Sequence, residues 1–176
     1  MAWTTPRTWV RGDFPTVGRL NVDLRDNMNF VGTCYGGRVR ASANFSIPTG
    51  VQSLDNAFDT EDFDSDNVHN QTTTISRLFI NTAGKYFIGA TIPWQGVGGA
   101  ANQKRTHIYI TRSGVDTEID RVQERGMEQN ILTAETIYDC LVGDYLHCEV
   151  FQDTVGALNI IPSAGCHLFF AYRICN

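Results

Sequence analysis

The sequence is short of charge. Only 19% of its 176 residues are Asp, Glu, Lys or Arg, below the roughly 25% of ordinary globular domains. It also lacks the Lys/Glu-rich runs of a coiled coil or a disordered tail. No stretch approaches the ~18 consecutive apolar residues of a membrane span, so no membrane partner is expected. Met1 to Phe14 holds two Trp, two Arg and Pro6 but no apolar core of a signal peptide. The chain is therefore expected to be made in a cytoplasm and to stay there until assembled. There is no Cys-x-x-Cys pair. Cys34, Cys140, Cys148, Cys166 and Cys175 are odd in number and widely spaced, which disfavours zinc and reads as free thiols serving as small core hydrophobes.

Catalytic signatures are missing too. No Gly-x-Ser-x-Gly elbow occurs. Gly96-Val-Gly-Gly-Ala100 lacks the Lys-Ser/Thr of a phosphate loop and reads as a flexible loop. The four histidines, His69, His107, His147 and His167, have no metal-ligand spacing. The last three lie in strand-like runs and are expected to point off the apolar face. Asp62-Phe-Asp64-Ser-Asp66-Asn67 opens like a calcium loop, but Asn67 and Thr73 stand where an EF-hand needs Gly and Glu. With Asp55, Asp59 and Glu61 it forms a six-acid segment without a nearby base. Such a segment reads as a solvated loop that invites a cation or an Arg from a neighbouring subunit. No nucleophile, base and oxyanion hole assemble, so the expectation is a non-enzyme without cofactor or metal.

What is present is a core and an uneven charge. Hydrophobic residues make up 42%, and a chain of this size buries about two-thirds of its unfolded surface. Residues 1–40 carry six Arg against Asp13, Asp23 and Asp26, whereas 41–176 carry eight bases against sixteen acids. A basic leader on an acidic body suggests two jobs, and the body would repel phosphate, so nucleic acid is not an expected partner. Two regions follow, an arm over 1–38 and a body over 39–176. Within the arm, Val17, Leu20, Leu24, Met28 and Val31 step by three and four, with Thr16 as N-cap and Gly32 as stop. That spacing predicts a helix over about 16–31. Trp3 and Trp9 lie upstream on a segment too short to own a core, which favours docking on another chain.

The body reads as strands. Tyr86, Ile88, Ala90 and Ile92 share one face of a run that Pro93 is expected to end. Further runs are Ile75–Ile80, His107–Thr111, Ile131–Leu141, Tyr145–Phe151 with Leu146, Cys148 and Val150 on one face, Ala157–Ile161 and Cys166–Cys175. Recurrent strands with Gly/Asp/Asn turns predict an all-β antiparallel sandwich or barrel.

The order of residues carries a resemblance. Phe58, Phe63-Asp64 and His69 are followed by Arg77-Leu78-Phe79-Ile80, Thr82-Ala83-Gly84-Lys85-Tyr86 and Trp94. Then come Ile108-Tyr-Ile-Thr-Arg-Ser-Gly114, Leu141-Val-Gly-Asp-Tyr145, Glu149-Val-Phe-Gln152 and Ala157-Leu-Asn159. Over about residues 40–175 this resembles the C1q/TNF-like jelly roll in its bacterial and phage form. The resemblance implies an antiparallel jelly-roll sandwich and a homotrimer around an aromatic-rich axis, with Tyr86, Tyr109, Phe151, Phe169 and Tyr172 as candidate interface residues. Which of them face the axis and which the core stays open. The collagen-like stalk of animal relatives is absent, since no Gly-x-y run exists.

The arm is similar to the N-terminus of many tailed-phage structural proteins through Pro6-Arg-Thr-Trp-Val-Arg-Gly-Asp13, Pro15-Thr16, Leu20-Asn21 and Leu24-Arg-Asp-Asn27-Met-Asn-Phe30. Together the two resemblances imply a trimeric capsid cement (decoration) protein on the outer surface of a virion. Its partner would be the major capsid protein, contacted by Trp3, Arg7, Trp9, Arg11, Arg19, Leu20, Leu24, Arg25 and Phe30. The alternative is a tail-fibre or receptor-binding tip protein that binds host glycan, supported by Trp94 as a sugar-stacking platform if exposed.

Overall fold

Alternation of apolar and polar residues gives each strand one buried face, and turn residues set the register. The computed structural model describes residues 5, 7–8, 10–14, 16–28, 35–54, 56–96, 103–125, 129–162 and 167–175, with only the backbone at Ser53 and Cys175. The chain divides into two compact units, Met1–Cys34 and Tyr35–Asn176.

In the first unit, Thr16 caps the short helix α1 (Val17–Leu20), its Oγ1 accepting from Arg19 N at 3.3 Å. The helix does not continue regularly. Asn21–Asp26 winds as a π-helix, and residues 29–34, with Val31 and Gly32, lie outside the described residues. The wider π wind breaks the three-and-four spacing that predicted one continuous stripe. Val17, Leu20, Leu24 and Met28 are all exposed.

The second unit carries twelve strands among the described residues. They are β1 (Gly36–Arg40), β2 (Phe45–Ile47), β3 (Gly50–Ser53), β4 (Thr60–Asp64), β5 (Leu78–Phe79), β6 (Gly84–Trp94), β7 (Gln103–Arg112), β8 (Val115–Arg125), β9 (Asn130–Cys140), β10 (Tyr145–Gln152), β11 (Leu158–Ile160) and β12 (Leu168–Cys175). One sheet runs β2-β11-β6-β12-β1-β4, with β9 paired along β6; the other runs β3-β10-β7-β8, with β5 paired to β10. Every pairing is antiparallel. The fold is thus the all-β two-sheet sandwich that the strand pattern predicts. The expected arm boundary after residue 38 falls inside β1, and the unit boundary lies earlier, at Cys34.

The predicted faces hold for the two central strands. Tyr86, Ile88, Ala90, Ile92 and Trp94 of β6 face Leu146, Cys148 and Val150 of β10 across a common core, joined by Phe58, Ile108, Ile110 and Phe169. Burial of each large apolar side chain contributes roughly 1.5–3 kcal/mol. Pro93 does not end β6. It pairs with Ile131, and its carbonyl accepts from Ile161 N at 2.9 Å. The β12 pairing stops at Thr91, so the missing N–H interrupts no continuous ladder there.

Two turns explain their sequences. Ser113 and Gly114 both have positive φ, 53° and 79°, and join β7 to β8 in the two-residue hairpin connection that favours glycine. In Leu141-Val-Gly-Asp144, Gly143 takes φ 92°. The buried Asp144 then accepts Leu141 N at 2.8 Å and Arg112 Nη2 at 2.6 Å.

Candidate functional site

In β12 apolar residues occupy both faces. Phe169 and Ala171 point into the core, while Leu168, Phe170 and Tyr172 alternate with them. A strand apolar on both sides is expected where both sides are covered. On the outer face of the seven-stranded sheet the rings form a ladder. Phe63 of β4 stacks on Tyr172 at 5.5 Å and 14°. Tyr172 stacks on Phe170 at 5.0 Å, and Phe170 meets Phe87 of β6 at 5.4 Å. Phe170 lies opposite Gly89 and Tyr172 opposite Phe87. Beside the ladder Ile137, opposite Phe87, is 59% exposed. Exposed apolar side chains gathered on one flat sheet face mark an interaction surface.

The outer face of the other sheet has different chemistry. His107, Tyr109 and His147 stack in series at 6.1 and 5.3 Å, followed by Tyr145 and Phe79 at 5.9 and 5.8 Å. Arg77 lies over Tyr145 at 4.4 Å and Arg105 over Phe151 at 4.5 Å. Glu118 accepts from Tyr109 at 3.3 Å and pairs with His107 Nδ1 at 2.7 Å. The hydrogen bond with His107 holds the Glu118 carboxyl low against the opposing effect of burial. Burial raises the Tyr109 hydroxyl. This face is charged and hydrogen-bonded within itself.

The five aromatics expected around one axis lie on three surfaces. Tyr86 and Phe169 are fully buried in the protomer's own core, where Tyr86 Oη donates to Thr82 O at 2.6 Å. They belong to the core and not to an interface. Tyr109 and Phe151 belong to the polar outer sheet face. Of the five, Tyr172 belongs to the ring ladder, together with Phe63, Phe87 and Phe170, which sequence reading did not assign to an interface. The apolar residues on both faces of β12 are the signal that could have found them.

Of the arm residues, Trp3, Trp9 and Phe30 lie outside the described residues. Arg7 pairs with Asp23 at 2.7 Å and Arg25 with Asp26 at 2.8 Å. Arg11 is exposed, and Arg19 donates to Phe14 O at 3.4 Å. Leu20 and Leu24 are exposed, and Phe14 is 82% exposed.

Most of the acidic segment finds partners within the chain, although Asp66 Oδ2 is buried with none among the described residues. Arg38 and Arg40 of β1 both reach Asp62 at 2.9 Å. Asp64 accepts the backbone N–H of Asp66, Val68 and His69. Glu61 pairs with His69 Nδ1 at 2.8 Å, and Asp59 accepts from Ser42. Asp55 lies outside the described residues. Among the described residues no three His, Cys, Asp or Glu side chains gather as a metal site.

His107 and His147 point to the outer face as expected, but His167 does not. It is 1% exposed, its two ring nitrogens have no partner among the described residues, and it meets Phe58 edge-on at 5.1 Å. Burial pushes its pKa down to about 4. Cys140 and Cys148 are free and buried, and burial raises the Cys140 thiol to about 12, as expected of inert core thiols. Trp94 is fully buried, which removes the sugar-stacking platform. The loop at residues 97–102 lies outside the described residues.

No known protein-family profile matches the sequence, and no curated protein matches it significantly. Solved structures do. Murine APRIL aligns with a TM-score of 0.61 at 8% identity, over 81% of this chain and 100% of that one. Eiger TNF from S. frugiperda aligns with 0.58 at 8%, over 81% and 94%. The globular domain of zebrafish complement 1qA protein aligns with 0.52 at 10%, over 78% and 93%. The fold is therefore a TNF/C1q-like jelly roll.

Proposed function

We propose that the protein is a homotrimeric structural component of a tailed-phage virion, a capsid cement protein. In this reading the jelly roll self-associates through the outer face of its seven-stranded sheet and the N-terminal unit anchors the trimer to the major capsid protein. The observation that carries it is the pairing of two unpartnered apolar surfaces in one chain. One is the Phe63–Tyr172–Phe170–Phe87 ladder. The other is a separate short unit whose Phe14, Val17, Leu24 and Met28 are exposed.

The physics of the arrangement favours a multivalent clamp. Three linked arms raise avidity by ~10²–10⁴ over one arm without a new contact. Arg7 is held on the buried Asp23, whereas Arg25 pairs with the half-buried Asp26 at the surface, a contact worth only ~0–1 kcal/mol. A capsid carboxylate can replace such a partner at little cost. The role is structural, with no reaction assigned to it.

The test is co-sedimentation of the full chain with phage shells stripped of it. Saturable binding as a trimer supports the reading. A chain that stays monomeric and in the supernatant contradicts it.

A further inference from the structure

Lys104 sits where lysine is rarely found. It lies on the core-facing side of β7 at 0% exposure, and lysines are almost never fully buried unless paired. Its Nζ donates to Gln95 O at 3.1 Å and lies 3.4 Å from Oδ1 of Asn130, the first residue of β9. Asn130 stands opposite the fully buried Trp94. The other end of the same carboxamide is also held: Nδ2 donates to Oε2 of Glu124 at 2.5 Å. Glu124 is the direct cross-strand partner of Lys104 in the β7–β8 pair. An amine, a carboxamide and a carboxylate thus converge from three strands of two sheets. Burial lowers the Lys104 ammonium and Glu124 opposes it, so the neutral, nucleophilic amine is more accessible than in water.

We propose that Lys104 and Asn130 join in an intramolecular isopeptide bond, with Glu124 carrying the proton. The lone pair of neutral Nζ attacks Asn130 Cγ, a C–N bond forms, and the carbonyl electron pair moves onto Oδ1. The Glu124 carboxylate takes the proton from Nζ and delivers it to Nδ2, the nitrogen it already contacts. The Cγ–Nδ2 bond breaks, the carbonyl re-forms and ammonia leaves. One amide replaces another, so no oxidant, reductant or cofactor takes part. The product ties β7 of the five-stranded sheet covalently to β9 of the seven-stranded sheet, closing a loop that contains β8. Such a cross-link restricts the unfolded chain much as a disulfide does, but it resists reduction.

Intact-mass measurement of the purified full-length chain tests this directly. The expected mass is below that of the sequence by one ammonia, about 17 Da, with the tryptic peptides carrying Lys104 and Asn130 joined and no cleavage after Lys104. Glu124→Gln keeps the hydrogen bond to Nδ2 but cannot relay the proton. It is expected to slow closure ~10²–10⁴-fold, leaving fresh protein at the sequence mass with an unchanged circular dichroism spectrum. Wild-type protein that stays at the full sequence mass after prolonged incubation at mildly alkaline pH would overturn the proposal. A mass loss that persists in Lys104→Arg would overturn it as well, because it would then come from asparagine cyclisation elsewhere.

Discussion

The ring of Phe170 fills the space that a side chain at position 89 would need: a Cβ built on Gly89 would stand 2.4 Å from Phe170 Cζ. The two residues are cross-strand partners in β6 and β12. An aromatic seated over a cross-strand glycine keeps its ring against the sheet. The missing side chain at 89 therefore holds the middle rung of the ladder in place.

That relationship yields a prediction for assembly. Gly89→Val is expected to push Phe170 out of the ladder and dissociate the proposed trimer, without unfolding a protomer whose core lies on the opposite face. Ile137→Asp is the cleaner companion, since Ile137 is 59% exposed and such a surface change moves protomer stability by only about ±0.5 kcal/mol. Light scattering after size-exclusion chromatography is expected to report a trimer for the wild type and a folded monomer for Ile137→Asp.

Asp144 anchors the turn before β10. Burial pushes its carboxyl up, but hydrogen bonds from Arg112 and Leu141 N outweigh that and hold its pKa below 3.8. Its stabilising effect is thus complete above the ordinary carboxylate pKa and fades as pH falls below it. Asp144→Asn keeps the shape but weakens the Arg112 fork. The expected cost is about 1–3 kcal/mol in urea unfolding at neutral pH, shrinking toward zero in acid.

His167 has the opposite protonation preference. Its pKa falls from 6.5 to about 4 in the folded protein, so below pH 6.5 the unfolded chain takes up a proton that the folded chain refuses. Stability contributed by the neutral ring is complete above 6.5 and is lost as pH drops toward 4, by about 3 kcal/mol in all. His167→Leu removes both ring nitrogens. It is expected to flatten this part of the stability–pH curve and to raise stability at pH 5, as read by thermal unfolding across the interval.

Removing the arm separates its role from that of the body. A chain starting at Tyr35 keeps β1 whole, whereas a cut after 38 would take Gly36–Arg38 out of the pairings with β12 and β4. The shortened chain is expected to remain a folded trimer and to lose shell binding, as read by co-sedimentation. A shortened chain that still binds would move the docking surface to the jelly roll.

Much of this architecture is legible in the sequence because it is local. The alternation in Tyr86–Ile92 and Leu146–Val150 places both core strands, and Ser113-Gly114 and Gly143-Asp144 mark turns whose backbone angles demand those residues. What the sequence conceals depends on pairing at a distance. Arg38 meets Asp62 across 24 positions, so the sequence shows no base beside the acidic segment. His167 lies beside a strand whose pattern suggested an outward ring, and the contact with Phe58 that buries it is distant in sequence. The arm's apolar spacing predicts a regular helix, and the π-wound stretch Asn21–Asp26 has no signature in that spacing. Outer-face aromatics and core aromatics are the same residue types on the same strands, and only the register of β12 against β6 separates Phe170 from Phe169.

The most direct test of the cement reading is the copy number of this chain in purified virions, measured by quantitative mass spectrometry against the major capsid protein. The account predicts about one copy per capsid subunit, because only the shell offers that many equivalent sites. A handful of copies per particle, or none, would contradict it.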